Sequence, residues 1–221
     1  NMVDMGKKMG ITTWNEPNQY GLAITLGSAE VKMTDMAEVY GTVANSGKNV
    51  NLDPILKITD YQGNLVYQKN TPEEKPVIDE GVAFIIANIL SDNPARSFEF
   101  GANSPLNIKN RTVSVKTGTS DNKRDNWTIG FTPSRLVAVW VGNNDNSPMS
   151  QTLASGITGA APIWNKIMTM LLENVSDEPI QIPDDIVQKP CFGRIEYFVK
   201  GTENSVNCKT TPAPSPSPNT N

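Results

Sequence analysis

Lys116-Thr117-Gly118-Thr119 gathers a fixed cation, two hydroxyls and a position without a side chain into four residues. Val113-Ser114-Val115 leads into it and the polar turn Ser120-Asp121-Asn122 follows, so the tetrapeptide is placed at the end of a strand. Inside a cleft, such a lysine can tune a neighbouring serine hydroxyl and attract a carboxylate. Thr117 and Thr119 can offer hydroxyls to the same carboxylate. Gly118 keeps the strand bare where an acyl substrate must lie against it, and a backbone N–H there can serve as an oxyanion donor. The three-residue pattern alone is a weak signal, since average composition yields it in about one chain in ten of this length. Its bland alternative is a strand ending in a solvated lysine and a glycine turn.

Composition narrows the chemistry further. The 221 residues contain no histidine. That excludes a Ser-His-Asp triad, a Cys-His pair or a His-ligated metal built from this chain alone. Proton transfer near neutral pH then falls to lysine, tyrosine or a carboxylate. Cys191 and Cys208 without other clustered ligands do not close a zinc site, so no metal and no cofactor are expected. Their spacing leaves open a disulfide, as an oxidising compartment would permit, or two unrelated thiols. A net charge of -4 with scattered lysines and arginines leaves no footprint for nucleic acid. No apolar run reaches the roughly 18 residues of a membrane helix.

The elements that must position the tetrapeptide are legible from periodicity. Residues 2–9 read as the tail of a helix closed by Gly10, and residues 21–27 as a short apolar run between glycines. Thr34 is a plausible N-cap for a helix whose apolar face carries Met36, Ala37, Tyr40, Val43 and Ala44 and which Gly47 stops. Residues 55–60 and 65–69 pair around Gln62-Gly63-Asn64; Val82, Ile85, Ile86, Ile89 and Leu90 mark a buried helix, and residues 91–110 read as loop. Three strands follow, over 112–119, 127–131 and 136–142, joined by turns short enough to predict an antiparallel meander. Residues 159–172 space Ala160, Ile163, Trp164, Ile167, Met168 and Leu171 as a helix that covers one face of it. The predicted class is α+β: an antiparallel sheet covered by helices. Past Asn174, Pro179, Pro183 and Pro190 punctuate an extended segment holding both cysteines, and residues 210–221 are a Pro/Ser/Thr run with the composition of a disordered, polyproline-like tail. The chain thus divides into residues 1–175, 176–209 and 210–221.

The combination of Lys-Thr-Gly with S-x-x-K and S-D-N elements is the signature of penicillin-binding proteins and of class A β-lactamases. Beyond Lys116 to Thr119, Gly21-Leu22-Ala23-Ile24-Thr25-Leu26-Gly27-Ser28 and Tyr40-Gly41-Thr42-Val43-Ala44-Asn45-Ser46-Gly47 resemble the helical region of the transpeptidase domain of bifunctional, class A penicillin-binding proteins. Arg96 with Phe100-Gly101 resembles the segment before the family's Lys-Thr-Gly strand. Arg124-Asp125-Asn126-Trp127-Thr128-Ile129-Gly130-Phe131 and Val139-Trp140-Val141-Gly142 resemble its final strands, and Ala161-Pro162-Ile163-Trp164 its closing helix. The resemblance covers residues 2–174.

It implies a fold like the C-terminal part of the β-lactamase/transpeptidase fold, and a peptidoglycan D,D-transpeptidase that cross-links stem peptides through an acyl-serine intermediate. Lys116 would bond the serine of the S-x-N element, and Lys116 and Thr119 would be the catalytic residues of this chain. Thr117, Gly118 and Thr119 would bind substrate, the two hydroxyls holding the terminal carboxylate of a D-Ala-D-Ala stem peptide or of a β-lactam. The Thr119 N–H would complete the oxyanion hole, and Trp127 would support the strand. Implied partners are peptidoglycan stem peptides and β-lactams, at the extracytoplasmic face of a bacterial membrane, with any membrane anchor lying upstream.

The family's nucleophile belongs to an S-x-x-K far upstream of Lys-Thr-Gly. Here the pattern occurs as Ser120-Asp121-Asn122-Lys123, in the turn directly after the strand, where turn composition explains it. Ser91-Asp92-Asn93 matches S-D-N literally but reads as a helix terminus, and Ser217-Pro218-Asn219 as tail composition. The expectation is that the chain starts just after the true S-x-N, so the serine lies outside it and the chain alone is inactive. In the family the helix carrying the nucleophile packs on this sheet, so without it an apolar face would be exposed. A catalytically silent binding module of the same fold is the alternative. A serine β-lactamase fits less well with the long segment beyond the closing helix.

Overall fold

The computed structural model describes residues 2–70, 73–150 and 155–208. The chain opens with α1 (Met2–Lys8), which a left-handed Gly10 closes, and two 3-10 turns follow over Pro17–Gln19 and Leu22–Leu26. Val3, Ile11, Trp14, Ile24 and Ala29 bury one another here in a small core of their own. Then come α2 (Met33–Ala44), β1 (Lys48–Asn49), β2 (Lys57–Thr59), β3 (Leu65–Gln68) and β4 (Lys75–Pro76). Next are α3 (Glu80–Ser91), α4 (Asn93–Phe100), β5 (Ser114–Thr119), β6 (Asp125–Phe131), β7 (Leu136–Gly142) and α5 (Ala160–Leu171). A hairpin of β8 (Ile186–Cys191) and β9 (Arg194–Val199) follows.

The centre is the three-stranded sheet β5-β6-β7, antiparallel throughout, as the short turns predict. Alternation sorts its side chains onto two faces. Val113 and Val115 share one face with Val137 and Val139, and Trp164 and Met168 of α5 close over them. Asn126, Thr128 and Gly130 face the same way. The Ala160 N–H donates to Asn126 Oδ1 at 2.8 Å, and Thr128 Oγ1 donates to Gly156 O at 3.3 Å. A Cβ at Gly130 would lie 2.4 Å from Trp164 Cζ2, so the helix packs against bare backbone there. The opposite face meets α2 and α3 at one end. Phe131 stands edge-on to Tyr40 at 6.2 Å between ring centroids, and the buried Ser114 hydroxyl donates to Ala87 O at 2.7 Å.

Several local features depart from the sequence reading. The cap of α2 is Lys32, not Thr34, which lies inside the helix with its hydroxyl 3.5 Å from Asp35 Oδ1. Residues 93–100, read as loop, form α4; Asp92 Oδ1 accepts from the Ala95 N–H at 2.9 Å and Pro94 sits in the first turn, where a missing N–H costs nothing. The extended segment folds back as β8–β9. Cys191 and Cys208 are joined in a disulfide, which resolves the two alternatives left by their spacing. Residues 210–221 lie outside the described residues.

Candidate active site

Among the described residues β5 is an edge strand, paired with β6 alone. Just past its end, the Ser120 N–H donates to Asp125 O at 3.0 Å. In an antiparallel ladder the inward-bonded residues alternate, so Gly118 and Lys116 turn their backbone groups to β6. Those of Val115, Thr117 and Thr119 therefore point to the free edge. Side-chain donors agree: Thr117 O accepts from Lys116 Nζ at 2.6 Å, and Val115 O from Arg96 Nη1 at 3.5 Å.

The four residues of the motif do not share one surface. Thr117 and Thr119 pair with Thr128 and Asn126 on the α5 side, whereas Lys116 and Gly118 pair with Ile129 and Trp127 on the other. They converge at the edge because the exposed Lys116 side chain folds back across its own strand. The loop before α5 supports the threonine side. The Gly156 N–H donates to Thr119 Oγ1 at 3.0 Å, which leaves the Thr119 hydroxyl proton to be given to a ligand. A Cβ on Gly156 would sit 2.8 Å from Thr117 Cβ, so only glycine allows the loop this close.

Gly118 is different. A Cβ there would meet only Trp127 Cβ, at 3.7 Å, an ordinary contact. The strand's own packing does not demand glycine at this position.

The candidate serines are committed to structure. The Ser120 hydroxyl donates to Asp125 Oδ2 at 2.9 Å and accepts from the Asp125 N–H at 2.8 Å, and Asp125 Oδ1 accepts from Trp140 Nε1 at 2.9 Å. Asn122 and Lys123 have φ of +56° and +55°, a tight turn and not the start of a helix. Ser91 closes α3, its hydroxyl donating to Asn88 O at 2.9 Å, and Asp92 and Asn93 open α4. Ser217-Pro218-Asn219 lies outside the described residues. The contribution of Gly156 was not anticipated; the paired glycines of Ser155-Gly156-Ile157-Thr158-Gly159 are its only trace in the sequence.

The family model described as the penicillin binding protein transpeptidase domain matches residues 2–169. The chain belongs to that family. Among curated relatives, penicillin-binding protein 1A of Aquifex aeolicus is 29% identical over 94% of this chain and 29% of its own length. Penicillin-binding protein 1A of Neisseria lactamica is 30% identical over 81% of this chain and 22% of its own. The chain thus spans less than a third of these class A relatives. Crystallised penicillin-binding protein 1A from Haemophilus influenzae superposes with a TM-score of 0.79 at 24% identity, covering 91% of this chain and 36% of that one. PonA1 from Mycobacterium tuberculosis in complex with penicillin V gives 0.65 at 24% identity, covering 80% and 54%. These superpositions establish the transpeptidase fold, an α+β fold as the sequence predicts. Among the described residues, no helix of this family member is long and apolar enough to cross a membrane.

Proposed function

We propose that this chain is the substrate-binding part of a peptidoglycan D,D-transpeptidase acting at the extracytoplasmic face of a bacterial membrane. The observation that carries this reading is the free edge of β5. There the outward backbone groups of Thr117 and Thr119, the Thr119 hydroxyl and the Lys116 ammonium meet within one tetrapeptide. A stem peptide ending in D-Ala-D-Ala lies along the edge. Its terminal carboxylate takes hydrogen bonds from the Thr117 and Thr119 hydroxyls, and its scissile carbonyl oxygen takes the Thr119 N–H.

A serine outside this chain attacks that carbonyl. The tetrahedral oxyanion forms between the Thr119 N–H and the nucleophile's own N–H. The terminal D-Ala leaves as the acyl-serine forms, and the amine of a second stem peptide then takes the acyl group. Lys116 leaves Thr117 O to bond the serine of the S-x-N element and adds positive charge beside the carboxylate. A β-lactam presents the same carboxylate and acyl carbonyl, and stops at the acyl-serine.

Fluorescent penicillin tests this. The full-length protein carrying this sequence should label persistently, and Lys116→Ala should slow labelling by about 100-fold, the scale of one lost oxyanion-type contact. The 221-residue chain should not label. Stable labelling of that chain would overturn the assignment of the serine, and rapid turnover of the label by the full protein would indicate a β-lactamase.

A further inference from the structure

The Val115 carbonyl opens onto the same edge as Thr117, two residues earlier, and it is already taken. Arg96 Nη1 donates to it at 3.5 Å and to Leu90 O, near the end of α3, at 2.6 Å. Arg96 Nε donates to Asn93 Oδ1 at 3.2 Å. A guanidinium is planar, with its donors in a fixed fork, so the bonds to Leu90 O and Asn93 fix it at the α3–α4 junction and aim it at the edge of β5. The guanidinium thus stands beside the free edge at Val115, two residues before Thr117.

The junction is held in turn from the C-terminal hairpin. Asp92 Oδ1 caps α4, while Asp92 Oδ2 pairs with Arg194 Nη1 of β9 at 2.7 Å. Arg194 Nε is held by Glu196. α3 is gripped at two further points: Tyr197 of β9 packs edge-on against Phe84 at 5.2 Å, and Asp185, just before β8, accepts at Oδ2 from the Gly81 N–H at 3.2 Å. α3 itself carries Ala87 O, the acceptor of the buried Ser114 hydroxyl of β5. Two independent routes thus run from the hairpin to the substrate strand.

We propose that the β8–β9 hairpin is a positioning element for the active site, in which Arg194, Asp92 and Arg96 form a relay that fixes the Val115 carbonyl and the Thr117–Thr119 edge beyond it. The proposal rests on the transpeptidase reading for its consequence, but not for its geometry. Arg194 is 58% exposed, whereas Arg96 bridges two backbone carbonyls in a half-buried site, so the two ends of the relay differ in weight.

In the full-length protein, Arg96→Ala should slow acylation by fluorescent penicillin about tenfold or more, the loss of charge-assisted bonds to backbone. Arg194→Ala should slow it about three- to fivefold, the scale of an exposed ion pair, and Arg194→Lys should restore most of that. A purely structural role would lower the fraction of protein that labels while leaving the rate of the remainder unchanged. Hydrogen exchange on the same samples should show faster exchange over residues 112–119 in both alanine variants, with residues 160–171 unchanged. Acylation of Arg96→Ala within twofold of the parent would overturn the relay, as would a loss confined to the labelled fraction. If the parent itself does not acylate, the transpeptidase reading fails, and exchange alone decides. Unaltered exchange over 112–119 would then refute the relay.

Discussion

The two faces of the β5-β6-β7 sheet come from the same three strands but are closed by different means. On the α5 side, Val113, Val115, Val137 and Val139 are all at least nine-tenths buried, under a fully buried Trp164 and Met168. On that side Asn126 Oδ1 accepts from the Ala160 N–H at the start of α5 and Thr128 donates to Gly156 O, while Asn126 Nδ2 and Trp164 Nε1 are buried without a partner among the described residues. On the other side only one end is closed. Phe131 is buried against Tyr40 and Val43 of α2 and Ala87 of α3, and Ile129 beside it is buried too, while Lys116 and Gly118 are exposed and Trp127 and Trp140 are half-buried. The larger part of the sheet's core therefore lies under α5, and the exposed Lys116 and Gly118 occupy the open half of the other face. The threonines connect the two, their side chains on the closed side and their backbone on the edge.

The largest effect should come from breaking the closed face. Trp164→Ala removes a fully buried indole that packs on Gly130, and should cost about 3–5 kcal/mol in a denaturant melt. Two glycine substitutions sharpen the contrast. At Gly130 a new Cβ would lie 2.4 Å from Trp164 and 2.9 Å from the Ser114 carbonyl, and the backbone atom cannot yield. At Gly118 the nearest atom is 3.7 Å away. Gly130→Ala should therefore destabilise by at least about 1–3 kcal/mol. Gly118→Ala should stay within about 0.5 kcal/mol of the parent in stability, yet weaken penicillin labelling. Equal melting temperatures for the two variants would break the comparison.

A smaller effect should come from the hairpin that buttresses the half-open face. The disulfide links cysteines 17 residues apart, a closure that restricts the unfolded chain by about 3 kcal/mol on the loop-entropy account. Replacing both cysteines with serine should loosen β8–β9 first. Hydrogen exchange should rise over residues 80–91, which the hairpin grips, before it rises over residues 160–171. Simultaneous loosening of both helices would show that the two faces are not separately supported.

What was legible in the sequence follows the same division. The meander and α5 could be read because a sheet with a buried face alternates strictly and its covering helix must be apolar at helical spacing. The hairpin and α4 were not read as such. α4 buries none of its residues completely, and its Phe98 is 97% exposed, so no periodicity marks it. The signals present were local ones, Asp92 as a cap and Pro94 in the first turn. β8 contains Pro190, and a two-stranded ribbon held by a disulfide needs no apolar face, so composition suggested only an extended segment. At the site, the four residues of the motif were visible at once. Their distribution over two faces and an edge depends on pairing register, and the Gly156 loop and the Arg96 bridge are long-range contacts that no local pattern encodes.

The smallest expected effect is electrostatic and belongs to the half-open face. Burial opposes the charge on Asp92, but the Ala95 N–H, the Arg194 contact and the nearby Arg96 outweigh it and hold its carboxyl below the usual value. In the unfolded chain an aspartate titrates near 3.9. A carboxyl depressed by folding stabilises the fold above that pH, and the contribution is lost as pH falls through the lower folded value. Stability measured by denaturant at falling pH should therefore decline below about pH 4 in part through this group. In Asp92→Asn the amide oxygen can still cap α4, but the charge that meets Arg194 and Arg96 is gone. The variant should lose less than about 1 kcal/mol at neutral pH, as for a partly solvated ion pair, and its stability should fall less steeply in acid. The α5 face packs through Val113, Val115, Val137, Val139, Trp164 and Met168, none of which titrates, so exchange over residues 160–171 should follow the same acid profile in parent and variant. A difference there would mean that the charges at the end of α3 reach both faces.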